Sequence, residues 1–186
     1  MAVNNIIKRI QNIMRQDAGI NGDAQRIEQM TWMFFLKVYD TQEETWEYKD
    51  DNYLSIIPEE LRWRNWAVDE KDGKAMTGEA LLSFVNEKLF PTLKNLPVNA
   101  QTPRAKSIVQ ETFADLNQYM KNGTLLRQVV NIVNEIEFDD ADDRHTFGDI
   151  YEGILKDLQS AGNAGEFYTP PCTDGFHRQD ARPETG

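Results

Sequence analysis

Residues 25–40 read QRIEQMTWMFFLKVYD. Ile27, Met30, Phe34 and Val38 recur at three- and four-residue steps, the spacing that lines one face of an α-helix. Trp32, Met33, Phe35 and Tyr39 widen that face until little polar surface is left, so this helix belongs at the centre of a core. Asp23 stands before it as a cap able to accept from free backbone N–H groups. Upstream, Val3, Ile6, Ile7, Ile10, Ile13 and Met14 keep the same period and leave Asn4, Lys8, Asn12 and Arg15 outside. That pattern predicts an amphipathic opening helix ending near Gly19.

Downstream the helical period returns several times. Acidic and aromatic residues alternate between Glu43 and Tyr53, which reads as less regular chain. Pro58 suits the first position of a short PEELRW turn, and Trp63 and Trp66, three apart, share a face. Residues 69–73 read as a surface turn. Thr77 opens a helix carrying Leu81, Leu82, Val85, Leu89 and Phe90, with Pro91 as its stop. After an irregular connection over 91–103, Thr102 and Pro103 start a helix bearing Ile108, Val109, Phe113, Leu116 and Met120, closed by Gly123. Thr124 begins another with Leu125, Leu126, Val129, Val130, Val133 and Ile136; its β-branched residues would suit a strand, but the period favours helix. A last helix carries Phe147, Ile150, Tyr151, Ile154, Leu155 and Leu158. The fold class is therefore all-α: a multi-helix domain over 1–160, a distinct segment at 161–170, and an irregular tail at 171–186 without periodicity.

Composition bounds the function. The 186 residues carry a net charge of −11, with 40% hydrophobic residues and a mean hydropathy of −0.63. That apolar content suffices for a core, and no run approaches the roughly 18 apolar residues of a membrane span. A lone cysteine, Cys172, excludes an internal disulfide framework and fits a reducing, cytoplasmic compartment. The charge is uneven: residues 1–37 sum to +2 and residues 38–80 to −7. Acidic blocks repel phosphate, so any nucleic-acid contact belongs to the mildly basic segments.

No catalytic set is evident. Walker-type glycine loops, paired cysteines, HExxH and GxSxG are all absent. His145 and His177 have no second imidazole nearby in sequence, and Cys172 has no activating partner. Asp139, Asp140, Asp142 and Asp143 suggest calcium, but a loop starting at Asp139 would place Arg144 and Ile150 where glycine and glutamate are needed. No catalytic residue and no metal ligand is assigned. Trp63 and Trp66, flanked by Arg62 and Arg64, fit core packing better than a base-stacking platform.

Residues 151–170, YEGILKDLQSAGNAGEFYTP, join a helix to a small-residue loop and an extended aromatic–Thr–Pro stretch. On physical grounds the stretch either walls a small-molecule pocket or marks a boundary loop. It closely resembles the start of the catalytic region in modification (M) subunits of type I restriction–modification systems, the N6-adenine DNA methyltransferases. The matching residues are Gly165, Glu166, Phe167, Tyr168, Thr169 and Pro170. The run from Phe35 to Tyr39 also resembles the apolar helix of these subunits, so the likeness spans roughly residues 3–170. The resemblance implies that 165–170 lie beside the methionine part of S-adenosylmethionine in the full-length parent. It implies a specificity subunit, a second M subunit and a restriction subunit as partners, with double-stranded DNA in the assembly and no membrane.

The family's glycine loop and Asn-Pro-Pro-aromatic segment do not occur in these residues. The expectation is thus an isolated N-terminal helical domain that serves subunit assembly and closure of the complex around DNA. It would bind no cofactor alone and transfer no methyl group. The alternative is an independent acidic helical interaction module unrelated to methylation. If DNA is met, Lys8, Arg9, Arg15, Arg26, Lys37, Arg104 and Lys106 are the cations available for backbone contact.

Overall fold

The computed structural model describes residues 3–69, 73–137 and Gly148. The expected helix over 147–158, the segment 165–170, the aspartates 139–143, both histidines and Cys172 lie outside the described residues, as do residues 70–72 of the surface turn, apart from Gly148 itself. In chain order come α1 (Val3–Met14), α2 (Asp23–Lys49), a 3-10 turn (Glu59–Leu61), α3 (Trp63–Trp66) and α4 (Gly78–Ser83). A π-helical stretch (Phe84–Leu89), α5 (Phe90–Lys94), α6 (Arg104–Ala114) and α7 (Gly123–Asn134) complete the order. Among the described residues there is no strand, and the all-α expectation holds.

α1 buries Ile6, Ile7, Ile10 and Met14 against α7, whose own stripe of Leu126, Val129, Val130 and Val133 is fully buried. Each such side chain contributes about 2 kcal/mol by leaving water. From α2 the core receives an unbroken run, Met30 to Leu36, and then Tyr39. Its aromatics knit the short helices together. Trp32 meets Phe90 of α5 edge-on at 5.2 Å and lies 6.5 Å from Trp66 of α3, while Phe35 and Phe90 both meet Phe113 of α6.

α1 ends at Met14, short of the expected Gly19, and four further boundaries differ from the sequence reading, each for a physical reason. Asp23 is the first residue of α2 rather than its cap; Gly22 holds the cap position at φ 86°, a conformation that suits glycine. There Asp23 pairs with Arg26 one turn on. The stretch after Glu43 remains helical to Lys49, because Trp46 packs edge-on against Tyr39 at 5.7 Å and buried Glu43 accepts from the Tyr53 and Ser55 hydroxyls. Pro91 does not end its helix: the wider π turn, in which Phe90 N–H donates to the Val85 carbonyl five residues back, makes room for a ring lacking N–H.

The fourth difference is the largest. α6 stops at Ala114, and residues 116–122 run on without helix. Their backbone is satisfied from elsewhere. Tyr119 N–H donates to Gln29 Oε1 at 2.8 Å, while Lys121 and Asn122 N–H donate to the Asp17 carboxylate at 3.0 and 2.9 Å. Leu116 and Met120 are still buried, as their apolar character required. Asn122, not Thr124, caps α7, accepting from Thr124 and Leu125 N–H at 3.0 Å each.

Candidate nucleic-acid interface

α1 contains no acidic residue, and its outward face carries Asn5, Lys8 and Asn12, continued just past its end by Arg15 and Gln16, all exposed. Arg15 donates to Asn12 Oδ1 at 3.0 Å, a contact within the strip itself. The carboxylate that follows, Asp17, is only 3% exposed and is turned onto the N–H groups of Gly19, Lys121 and Asn122. Its charge is therefore withheld from the surface. By holding Lys121 N–H, Asp17 also brings exposed Lys121 to the end of α1. Nothing in the sequence singles out Lys121, which the period places at a helix end; only the long-range Asp17 bond reveals its position. α1 and the two residues after it thus carry Lys8 and Arg15 with no carboxylate of their own, and exposed Lys121 lies near their end, on a chain of net charge −11.

The other predicted cations lie elsewhere. Arg9 makes a two-pronged bond to Glu135, at 2.9 Å through one prong, and this pairing holds the Glu135 carboxyl below its usual range. Arg26 pairs with Asp23 and is mostly covered; burial, and then the nearby charge of Arg15, lower its pKa. Lys37 reaches from α2 to the carbonyls of Val133 and Asn134 at 2.9 Å each, and to that of Ile136. Arg104 bonds Glu111 at 2.7 Å, and Lys106 donates to the Leu54 carbonyl with its ammonium 5.1 Å from the Tyr53 ring centroid. The structure therefore brings only Lys8 and Arg15 of the seven together on an open strip, with Arg26 beside Arg15.

Trp63 and Trp66 are each 3% exposed and meet edge-on, which settles them as core residues. The arginines beside them are held by acids of α2: Arg62 by Glu47, and Arg64 by Asp40 and Glu47, each at 2.9 Å. An open groove of about 500 Å³ is lined by Glu59, Glu60, Asn65, Trp66, Met76 and Phe84, and Glu60 pairs with exposed Lys88 at 3.6 Å. Among the described residues no group of His, Cys, Asp and Glu could hold a metal ion, and no helix is long and apolar enough to cross a membrane.

Comparison with known proteins decides the family. Residues 3–133, which take in every helix described above but the last residue of α7, match the model of the HsdM N-terminal domain. The chain belongs to the HsdM N-terminal domain family. A second model, N-6 DNA Methylase, matches residues 142–174, the stretch containing Gly165 to Pro170. Over all 186 residues the chain is 52% identical to the type I restriction enzyme EcoEI methylase subunit of Escherichia coli. It spans 37% of that protein's length. Two solved structures share this HsdM-type fold. A modification subunit from Vibrio vulnificus YJ016 superposes with a TM-score of 0.74 at 32% identity, covering 95% of this chain and 39% of that one. A structure addressing complex assembly and conformational transition of the type I R-M system gives 0.69 at 34%, covering 89% and 32%.

Proposed function

We propose that this chain is the helical domain of a type I modification subunit that places the assembly on double-stranded DNA through the outer face of α1. The outer strip of α1 supports this reading: Lys8 and Arg15, with Lys121 near its end, offer positive charge, and Asn5, Asn12 and Gln16 offer neutral donors. Such groups bond phosphate oxygens and fix register without reading sequence. Sequence reading then falls to the specificity subunit, with a second M subunit and a restriction subunit completing the assembly. Methyl transfer to a flipped adenine belongs to the remainder of the subunit.

S-adenosylmethionine supplies the methyl group in the full-length protein. The donor set at residues 165–170, two aromatic rings, a hydroxyl and a glycine backbone, suits one side of its methionine part. The groups that would seat its nucleoside and the target base are not among these 186 residues, so the chain alone transfers no methyl group.

The test uses the full-length subunit assembled with its specificity subunit, carrying Lys8→Gln and Arg15→Gln, with DNA affinity measured against salt. Losing two phosphate contacts lowers the log–log salt slope by about 2 and the affinity at physiological salt by about 30-fold. An unchanged slope overturns the reading.

A further inference from the structure

The last turn of α7 and the residues after it are tied to distant parts of the fold by side chains that take no part in the outer strip of α1. Four consecutive residues, 133–136, each bond to a distant element or are buried against one. The Lys37 ammonium of α2 donates to the carbonyls of Val133, Asn134 and Ile136, matching its three N–H donors to three acceptors at the helix end. The Asn134 side chain accepts from Trp63 Nε1 at 2.8 Å and donates to the Ala67 carbonyl at 2.9 Å. Glu135 takes the fork of Arg9 from α1. Ile136 is 4% exposed.

An exposed helix end needs none of this, because water satisfies its carbonyls. Here residues from α1, α2 and α3, separated from α7 by 71 to 126 positions in sequence, converge on it. Their place along the chain matters as much as their number. The match to the HsdM N-terminal domain ends at residue 133 and the match to N-6 DNA Methylase begins at residue 142. A connection this short transmits direction only if its first residues are immobilised; left loose, it behaves as a flexible linker.

We propose that this clasp on residues 133–136 anchors the exit of the chain, so that the helical domain dictates the orientation of the region beginning at residue 142. Lys37, Arg9 and Trp63 act as positioning residues. The proposal stands on the contacts named here and is independent of whether α1 touches DNA.

The test is a distance distribution from paired spin labels at S83C and K156C in the full-length subunit, its native cysteines replaced by serine. Lys37→Met removes the three-carbonyl cap while keeping an apolar stem; Glu135→Ala, in an exposed pair, serves if Lys37→Met does not fold. Circular dichroism confirms that each labelled variant retains its helices. The clasp predicts a distribution that broadens at least roughly twofold in either folded variant, the signature of a linker set free. A distribution of equal width in the parent and the variants overturns the proposal, because a cap that serves local stability alone would lower the melting temperature without moving this width.

Discussion

Replacing Asp17 with alanine removes an acceptor shared by three backbone donors. Gly19, Lys121 and Asn122 N–H lie 2.7, 3.0 and 2.9 Å from its oxygens, and the residue is 3% exposed. Bonds to an ionised acceptor contribute about 1.5–3 kcal/mol each, and a buried donor left without a partner costs about 1–3 kcal/mol. Two of the three donors lie in the segment after α6, which can shift toward water and recover part of the loss. A carboxylate near the negative end of α1 is also unfavourable by about 0.5 kcal/mol, and its removal offsets a little more. The net cost is about 3 kcal/mol, or roughly 10 °C in melting temperature for a domain of this size. Asp17→Asn keeps one acceptor oxygen but turns an NH2 group toward N–H donors, so it falls between the parent and Asp17→Ala. Urea unfolding followed by tryptophan fluorescence reads the effect. A loss below about 1 kcal/mol for Asp17→Ala would refute the view that this carboxylate holds residues 116–122 against α1.

A Cβ on Gly123 would sit 1.9 Å from the Gly78 carbonyl oxygen, backbone against backbone, so Gly123→Ala costs about 3 kcal/mol in the same unfolding assay by prying α4 from α7. Burial raises the pKa of Glu43 and Asp40, even though Ser55 and Tyr53 hydroxyls oppose it at Glu43 and Arg64 opposes it at Asp40. A raised carboxyl favours the folded state while protonated, so that contribution is present below the usual carboxylate range and is lost as pH rises through the raised values. Glu43→Gln should therefore gain stability relative to the parent as pH rises above the usual carboxylate range, measured as urea midpoints; a parent that gains on the variant over that rise contradicts the burial argument. Lys121→Gln, added to Lys8→Gln and Arg15→Gln in the assembled subunit, lowers the salt slope of DNA binding by about one further unit if Lys121 extends the α1 strip.

What could be read from the sequence was the local part of the fold. Ile6, Ile7, Ile10 and Met14, and Leu126, Val129, Val130 and Val133, announce α1 and α7 through period alone, and both stripes are buried where expected. The run from Met30 to Leu36 in α2 was legible as central because its apolar face leaves little polar surface. The misplaced boundaries share one cause, bonds and contacts that depend on the surrounding fold. Leu116 and Met120 fit a helical stripe, yet Gln29 and Asp17 give that segment a better set of acceptors than its own carbonyls. The candidate cations could not be sorted by sequence for the same reason: nothing local distinguishes Lys8, which faces outward, from Arg9, held by Glu135, or Lys37, held by α7. Segment 165–170 was legible through its resemblance and is matched by the methylase model, while its geometry lies outside the described residues.

If the helical domain holds the modification assembly on DNA and leaves the chemistry to the rest of the subunit, the two roles should separate on truncation. Removing residues 3–137 from the full-length subunit tests this most directly, with S-adenosylmethionine binding measured by calorimetry and DNA residence time measured on the complex with the specificity subunit. Cofactor binding is expected to persist while the DNA complex dissociates much faster. Unaltered DNA residence in the shortened assembly would contradict the role given to the helical domain.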